Sequence, residues 1–142
     1  MVLKAVELVE AGASAEEIVK VCENLADKID ASFVICNLDY LRMGGRCSTV
    51  AAIGANILKL KPCIEVVDGK MTVGKKHRGT FAACLKEYVK DRLDGKLDEI
   101  ESDRIFVTHT KCDDEVVQMV IDEVKKYGYF KEVLELNILL LY

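Results

Sequence analysis

The run CIEVVDGKMTV, residues 63–73, decides how the chain folds. Asp68-Gly69 separates two stretches rich in β-branched residues. A two-residue hairpin turn needs positive φ at both central positions, which Asp tolerates and Gly adopts freely. The run therefore predicts an antiparallel hairpin with strands at 63–67 and 70–73. Toward the carboxyl terminus, Phe81, Leu85, Tyr88, Val89 and Leu93 recur at helical spacing, and the segment 81–93 stops before Gly95. Residues 105–108 form a short apolar strand. Asp113 then stands as the N-cap of a helix whose face is Val116, Val117, Val120, Val124 and Tyr127, with Lys125 and Lys126 near its negative end and Gly128 beyond. Residues 131–142 alternate and then turn wholly apolar, as a last strand. Strand, helix and strand in that order imply a right-handed parallel crossover. The expected class is α/β: a mixed sheet with a β-hairpin and packed helices.

Toward the amino terminus, residues 50–60 (VAAIGANILKL) read as a helix capped by Ser48 or Thr49 and apolar nearly all round. Such a surface belongs to a helix that is deeply buried or touches an apolar partner. Upstream, Asn37 caps a short helix through Tyr40 to Met43 that Gly44-Gly45 ends, and residues 32–36 (SFVIC) read as an interior strand. Ser14 and Glu17 form a capping-box pattern, and Ile18, Val21, Cys22, Leu25 and Ile29 place one buried face on the helix that follows. Residues 2–11 form a helix that stops at Gly12.

A chain of 142 residues, 51% of them hydrophobic, is long enough for one core. With one proline and no low-complexity stretch, it is ordered. No apolar run approaches the roughly 18 residues of a membrane span, and Met1-Val2-Leu3-Lys4 does not open a signal peptide, so a cytoplasmic location is expected. The six cysteines are spaced by eleven positions or more and contain no CxxC, which marks them as free thiols. A net charge of -4 argues against nucleic-acid binding. Residues 42–80, however, carry eight basic groups against two acidic ones, a surplus of +6 that leaves -10 on the remainder. That asymmetry points the middle of the chain at an anion or an acidic partner.

Leu41-Arg42-Met43-Gly44-Gly45-Arg46, Ala51-Ala52-Ile53-Gly54, Leu60-Lys61-Pro62, Glu65-Val66-Val67-Asp68-Gly69-Lys70 and Lys76-His77-Arg78-Gly79 follow one another in a fixed order. This ordered set resembles the DegV family of bacterial fatty-acid-binding proteins, over essentially the whole chain. The resemblance implies a carrier that holds a long-chain fatty acid between two domains and presents it to a fatty acid kinase. Family members are about twice this length. Their amino-terminal domain, whose Ser and Thr residues hold the carboxylate, has no counterpart here, nor does their closing GxHxGPG segment: Leu136-Asn137-Ile138 runs into Leu139-Leu140-Leu141-Tyr142. Residues 1–142 are therefore expected to be the carboxyl-terminal domain of a longer two-domain protein, completed by that missing amino-terminal domain.

Arg46 follows two glycines, and a guanidinium suits fork-like pairing with a carboxylate. Arginines at this position and at Arg78 recur in the family, so Gly45, Arg46 and Arg78 are the expected contacts to the carboxylate or to a partner. Ala51, Ala52, Ile53, Gly54, Ile57 and Leu58 read either as close helix packing or, with Ile64, as the wall of an acyl tunnel. His109 and Cys112 form H-x-x-C after a strand. A thiolate nucleophile needs a depressed pKa and an orienting group, and zinc needs two more ligands. Neither is signalled, and the spacing of a phosphate loop is absent at Gly44-Gly45. No cofactor, metal or catalytic residue is expected. The alternatives to a lipid carrier are a protein-interaction or dimerisation domain with a basic docking surface and, below it, a thiol enzyme using Cys112 and His109.

Overall fold

The computed structural model of the chain describes residues 1–26, 28–36 and 60–138. Two helices, α1 (Val2–Glu10) and α2 (Ala15–Ala26), precede β1 (Ser32–Val34). The hairpin strands β2 (Leu60–Val67) and β3 (Lys70–Arg78) come next, then α3 (Phe81–Leu93), β4 (Arg104–His109), α4 (Asp114–Lys125) and β5 (Glu132–Asn137). The class is α/β, as expected. Among the described residues the antiparallel and parallel pairings fall in two sheets rather than one: β1-β2-β3 in that order, and β4 beside β5.

Local chemistry accounts for most of these elements. After α1, Gly12 takes φ +80, the Gly12 amide bonds to Val9 O and the Ala13 amide to Leu8 O, so two carbonyls at the helix end are satisfied. The box that opens α2 is reciprocal: Ser14 N–H donates to Glu17 Oε2 at 2.8 Å and Glu17 N–H to Ser14 Oγ at 3.3 Å. Asp68 (φ 50) and Gly69 (φ 71) make the hairpin turn, with Val67 opposite Lys70. Thr80, which the sequence pattern did not single out, caps α3 by accepting from the Ala83 amide at 3.3 Å.

Several expectations are corrected. The hairpin runs to Leu60 and Arg78, well past 63–73, because a bulge breaks the alternation that would have revealed the strand. Leu60, expected to end a helix, opens β2; the rest of that helix, 50–59, lies outside the described residues, as does the short helix after Asn37. β1 ends at Val34 and, among the described residues, pairs only with β2, at the edge of the described sheet, with Phe33 45% exposed where an interior strand was expected. An apolar run alone cannot tell the two apart, since the neighbours decide. The α2 face at Ile18, Val21, Cys22 and Leu25 is half-buried and Ile29 is exposed.

The core sits around α3. Val89, Leu93 and Val124 are buried together, packed by Tyr88, Leu97, Ile100, Ile105, Val120, Tyr127, Phe130 and Val133. Burial of such a side chain contributes roughly 1.5–3 kcal/mol. One side of α3 thus meets α4 and the parallel pair, while the other lies against the antiparallel sheet.

Candidate functional site

The two faces of the antiparallel sheet differ in chemistry, and the strand register assigns each residue to one of them. Ile64 is opposite Val73 and Phe33, and Val66 is opposite Met71. Pro62 is opposite Lys76, and Leu60 is opposite Arg78. Directly opposed residues share a face. One face therefore carries Leu60, Pro62, Ile64, Val66, Met71, Val73 and Phe33, with Lys76 and Arg78 at one end. Pro62 and Ile64 are buried, whereas Phe33, Val66 and Met71 are exposed by 45%, 37% and 65%. Arg78 is exposed. The structure so brings together two of the sequence-predicted residues, Ile64 and Arg78, on one surface. Gly45, Arg46, Ala51, Ala52, Ile53, Gly54, Ile57 and Leu58 lie outside the described residues.

The opposite face is polar and covered by α3. His77 is 2% exposed, its Nδ1 3.4 Å from Glu87 Oε2 and its Nε2 3.8 Å from Asp91 Oδ2. The latter is too long for a hydrogen bond. Lys75 Nζ donates to Asp91 at 2.7 Å. Arg92 pairs with Glu65 at 3.2 Å and with Asp30, and Tyr88 donates to the Ser32 carbonyl at 2.9 Å. Cys63, Glu65, Lys75, His77, Tyr88, Asp91, Arg92 and Lys96 line an open cleft of about 280 Å³ here. Burial, reinforced by the Glu65 carboxylate, pushes the Cys63 thiol up to about 11, and burial raises the Tyr88 hydroxyl as well. These groups are held neutral.

Nothing in the basic segment of the sequence marks His77 for this buried place. Only the partners on α3, ten and fourteen residues on, give the histidine a buried place. His109, opposite Asn137 in the last pair of the parallel ladder, holds its Nε2 3.1 Å from Glu135 Oε1, a carboxylate oxygen that accepts. Cys112 is half-buried and burial raises its pKa, the reverse of what a thiolate nucleophile needs. Among the described residues no group of three or more His, Cys, Asp or Glu could hold a metal ion, the five cysteines there are free thiols, and no helix is long and apolar enough to cross a membrane.

The model of a family described as "uncharacterised protein, DegV family" matches residues 1–139. A fatty acid-binding protein of Thermotoga maritima is 29% identical over 130 residues, which cover 90% of this chain and 44% of that protein. A solved structure on fatty acid binding by a DegV family protein from Thermus thermophilus superposes with a TM-score of 0.73 at 26% identity, covering 96% of this chain and 48% of that one. The fatty acid kinase B3 protein of Streptococcus pneumoniae, solved with linoleic acid, reaches a TM-score of 0.75 at 20% identity over 96% and 47% of the two chains, a likeness of fold. The chain spans between 32% and 44% of the length of the first curated relatives it matches.

Proposed function

The chain belongs to the DegV family, and from that premise we propose that it supplies one wall of a long-chain fatty-acid site in a two-domain carrier, as the carboxyl-terminal domain. The apolar face of the antiparallel sheet carries this reading: a continuous row of aliphatic side chains ends in a guanidinium. On this face Phe33, Val66 and Met71 are exposed toward the hairpin turn, while Pro62 and Ile64 are already covered within the chain. In this reading Ile64, with Ala51, Ala52, Ile53, Gly54, Ile57 and Leu58, walls the tail. Gly45, Arg46 and Arg78 face the carboxylate or the recipient protein. The companion domain closes the other side, a fatty acid kinase takes the bound acid, and this chain itself performs no catalysis. The fatty-acid-binding relatives from Thermotoga maritima and Thermus thermophilus support it.

The test is direct. Delipidated protein carrying both domains is expected to take up oleate or palmitate with about micromolar or better affinity, and mass spectrometry of the native protein should find a co-purified fatty acid. Failure of the two-domain protein to take up either acid would sink the proposal. The exposed Arg78 and Met71 equally suit a protein-docking surface. Under that second reading Arg46→Glu with Arg78→Glu abolishes partner capture and leaves oleate uptake unchanged.

A further inference from the structure

Among the described residues, helices cover one face of the parallel pair β4–β5 and leave the other open. Ile105 lies opposite Val133, and both pack on the cluster that α3 and α4 close. Side chains alternate along a strand, so Phe106 and Thr108 of β4 and Leu134 and Leu136 of β5 point away from those helices. Ile138 continues that alternation, its amide prolonging the ladder by donating to His109 O at 2.9 Å. Phe106, Leu136 and Ile138 are between 43% and 49% exposed, and Leu134 is half-buried. Parallel strands belong to sheets buried on both faces, and an open face this apolar marks a contact. Its charges gather at the end where the strands begin and are paired there: Arg104 meets Glu132 at 3.3 Å and Glu7 of α1. A surface with an apolar centre and a self-paired rim fits a partner that brings aliphatic or aromatic side chains and few charges.

Tethering decides between such partners. More than half of the Thermotoga maritima and Thermus thermophilus proteins lies outside the part that this chain matches. A domain on the same polypeptide meets this face at an effective concentration of about millimolar for a short linker, against which a second copy at about micromolar concentration competes poorly. Resting on the two-domain carrier reading, we propose that the outer face of β4–β5, at Phe106, Leu136 and Ile138, is the surface on which the companion domain docks. The contact is made by protein side chains alone, with no lipid atom in it, so it forms with the acid bound or absent.

The two-domain protein is labelled with a photo-generated carbene and read residue by residue by mass spectrometry, with and without oleate. Phe106, Leu136 and Ile138 are expected to label at least about fivefold less than the reference residues Val19 and Val67, which are exposed in this chain, in both states and at every protein concentration. Leu136→Asp is expected to speed cleavage of the linker by added protease at least about tenfold, because docking would bury an unpaired carboxylate, while the circular dichroism of the protein stays unchanged. Phe106→Asp, on the neighbouring strand, is expected to do the same. Labelling of the three wild-type residues at the level of Val19 and Val67 would overturn the proposal. So would protection that fades as the protein is diluted, the mark of a second copy, or protection that needs oleate, the mark of the acyl tail itself. Protected side chains in a protein that takes up no oleate would refute the fatty-acid reading alone and leave the docking surface standing.

Discussion

Cys63 shows how a single residue reports the chemistry around it. Its thiol is pushed from 9.0 to about 11, first by burial and then by Glu65. A folded pKa above the unfolded one means that the unfolded chain releases its proton first. Stability from this group is therefore full below pH 9 and is lost as pH rises toward 11, at up to about 1.4 kcal/mol per pH unit. Thermal melts between pH 8 and 11 are expected to fall more steeply for the wild type than for Cys63→Ala; parallel slopes would show that the thiol is not buried as described. The same physics separates the cysteines in reactivity. Iodoacetamide near neutral pH, followed by mass spectrometry, is expected to label exposed Cys36 before Cys63, Cys84 and Cys112, whose pKa values burial raises. Fast, selective labelling of Cys112 would revive a thiol chemistry that its environment opposes. The sequence placed Cys112 after a strand but could not say that its thiol would be half-buried.

At the scale of elements, short-range signals were legible and long-range ones were not. Asp68-Gly69 announced its turn because φ is a property of two residues, and Ser14 with Glu17 announced a helix start because the box closes within four. Gly69→Val is expected to cost roughly 1–2 kcal/mol, read as a shift of the denaturant midpoint, since the backbone at φ 71 is strained for a β-branched residue although the space around it is open. Thr80→Ala removes the cap of α3 and should cost about 1 kcal/mol in the same measurement. Thr80 was missed because the run before it, Lys75 to Gly79, reads as a polar loop. As far as Arg78 it is the far half of β3, polar because one side meets the carboxylates of α3 and the other carries Lys76 and Arg78. The bulge that joins the halves shifts the period-two pattern by one, and no window of the sequence shows a strand across such a shift.

For the whole molecule, stability and exposure separate. The cluster of Val89, Leu93 and Val124 is closed by residues from α3, α4 and the parallel pair, and Leu93→Ala is expected to lose about 2–5 kcal/mol through transfer and cavity terms. Elsewhere large apolar side chains stay exposed, among them Val2, Val9, Phe33, Met71, Phe106 and Leu136. With such a surface, residues 1–142 alone should self-associate or bind a hydrophobic dye more than a protein that also carries a companion domain; a monodisperse monomer that ignores the dye would contradict this. By itself the sequence determined the α/β class, the hairpin, the helices at 81–93 and 114–125, and the family, because caps, turns and apolar periodicity act over a few residues and an ordered set of short motifs survives in the linear text. The tertiary structure alone decided that, among the described residues, the antiparallel and parallel pairs form separate sheets, that His77 lies between two carboxylates of α3, and that Ile64 and Arg78 share one face. These outcomes depend on strand phase and on chain-distant partners, such as Glu65 and Arg92, twenty-seven residues apart, and such contacts leave no local trace in composition or spacing.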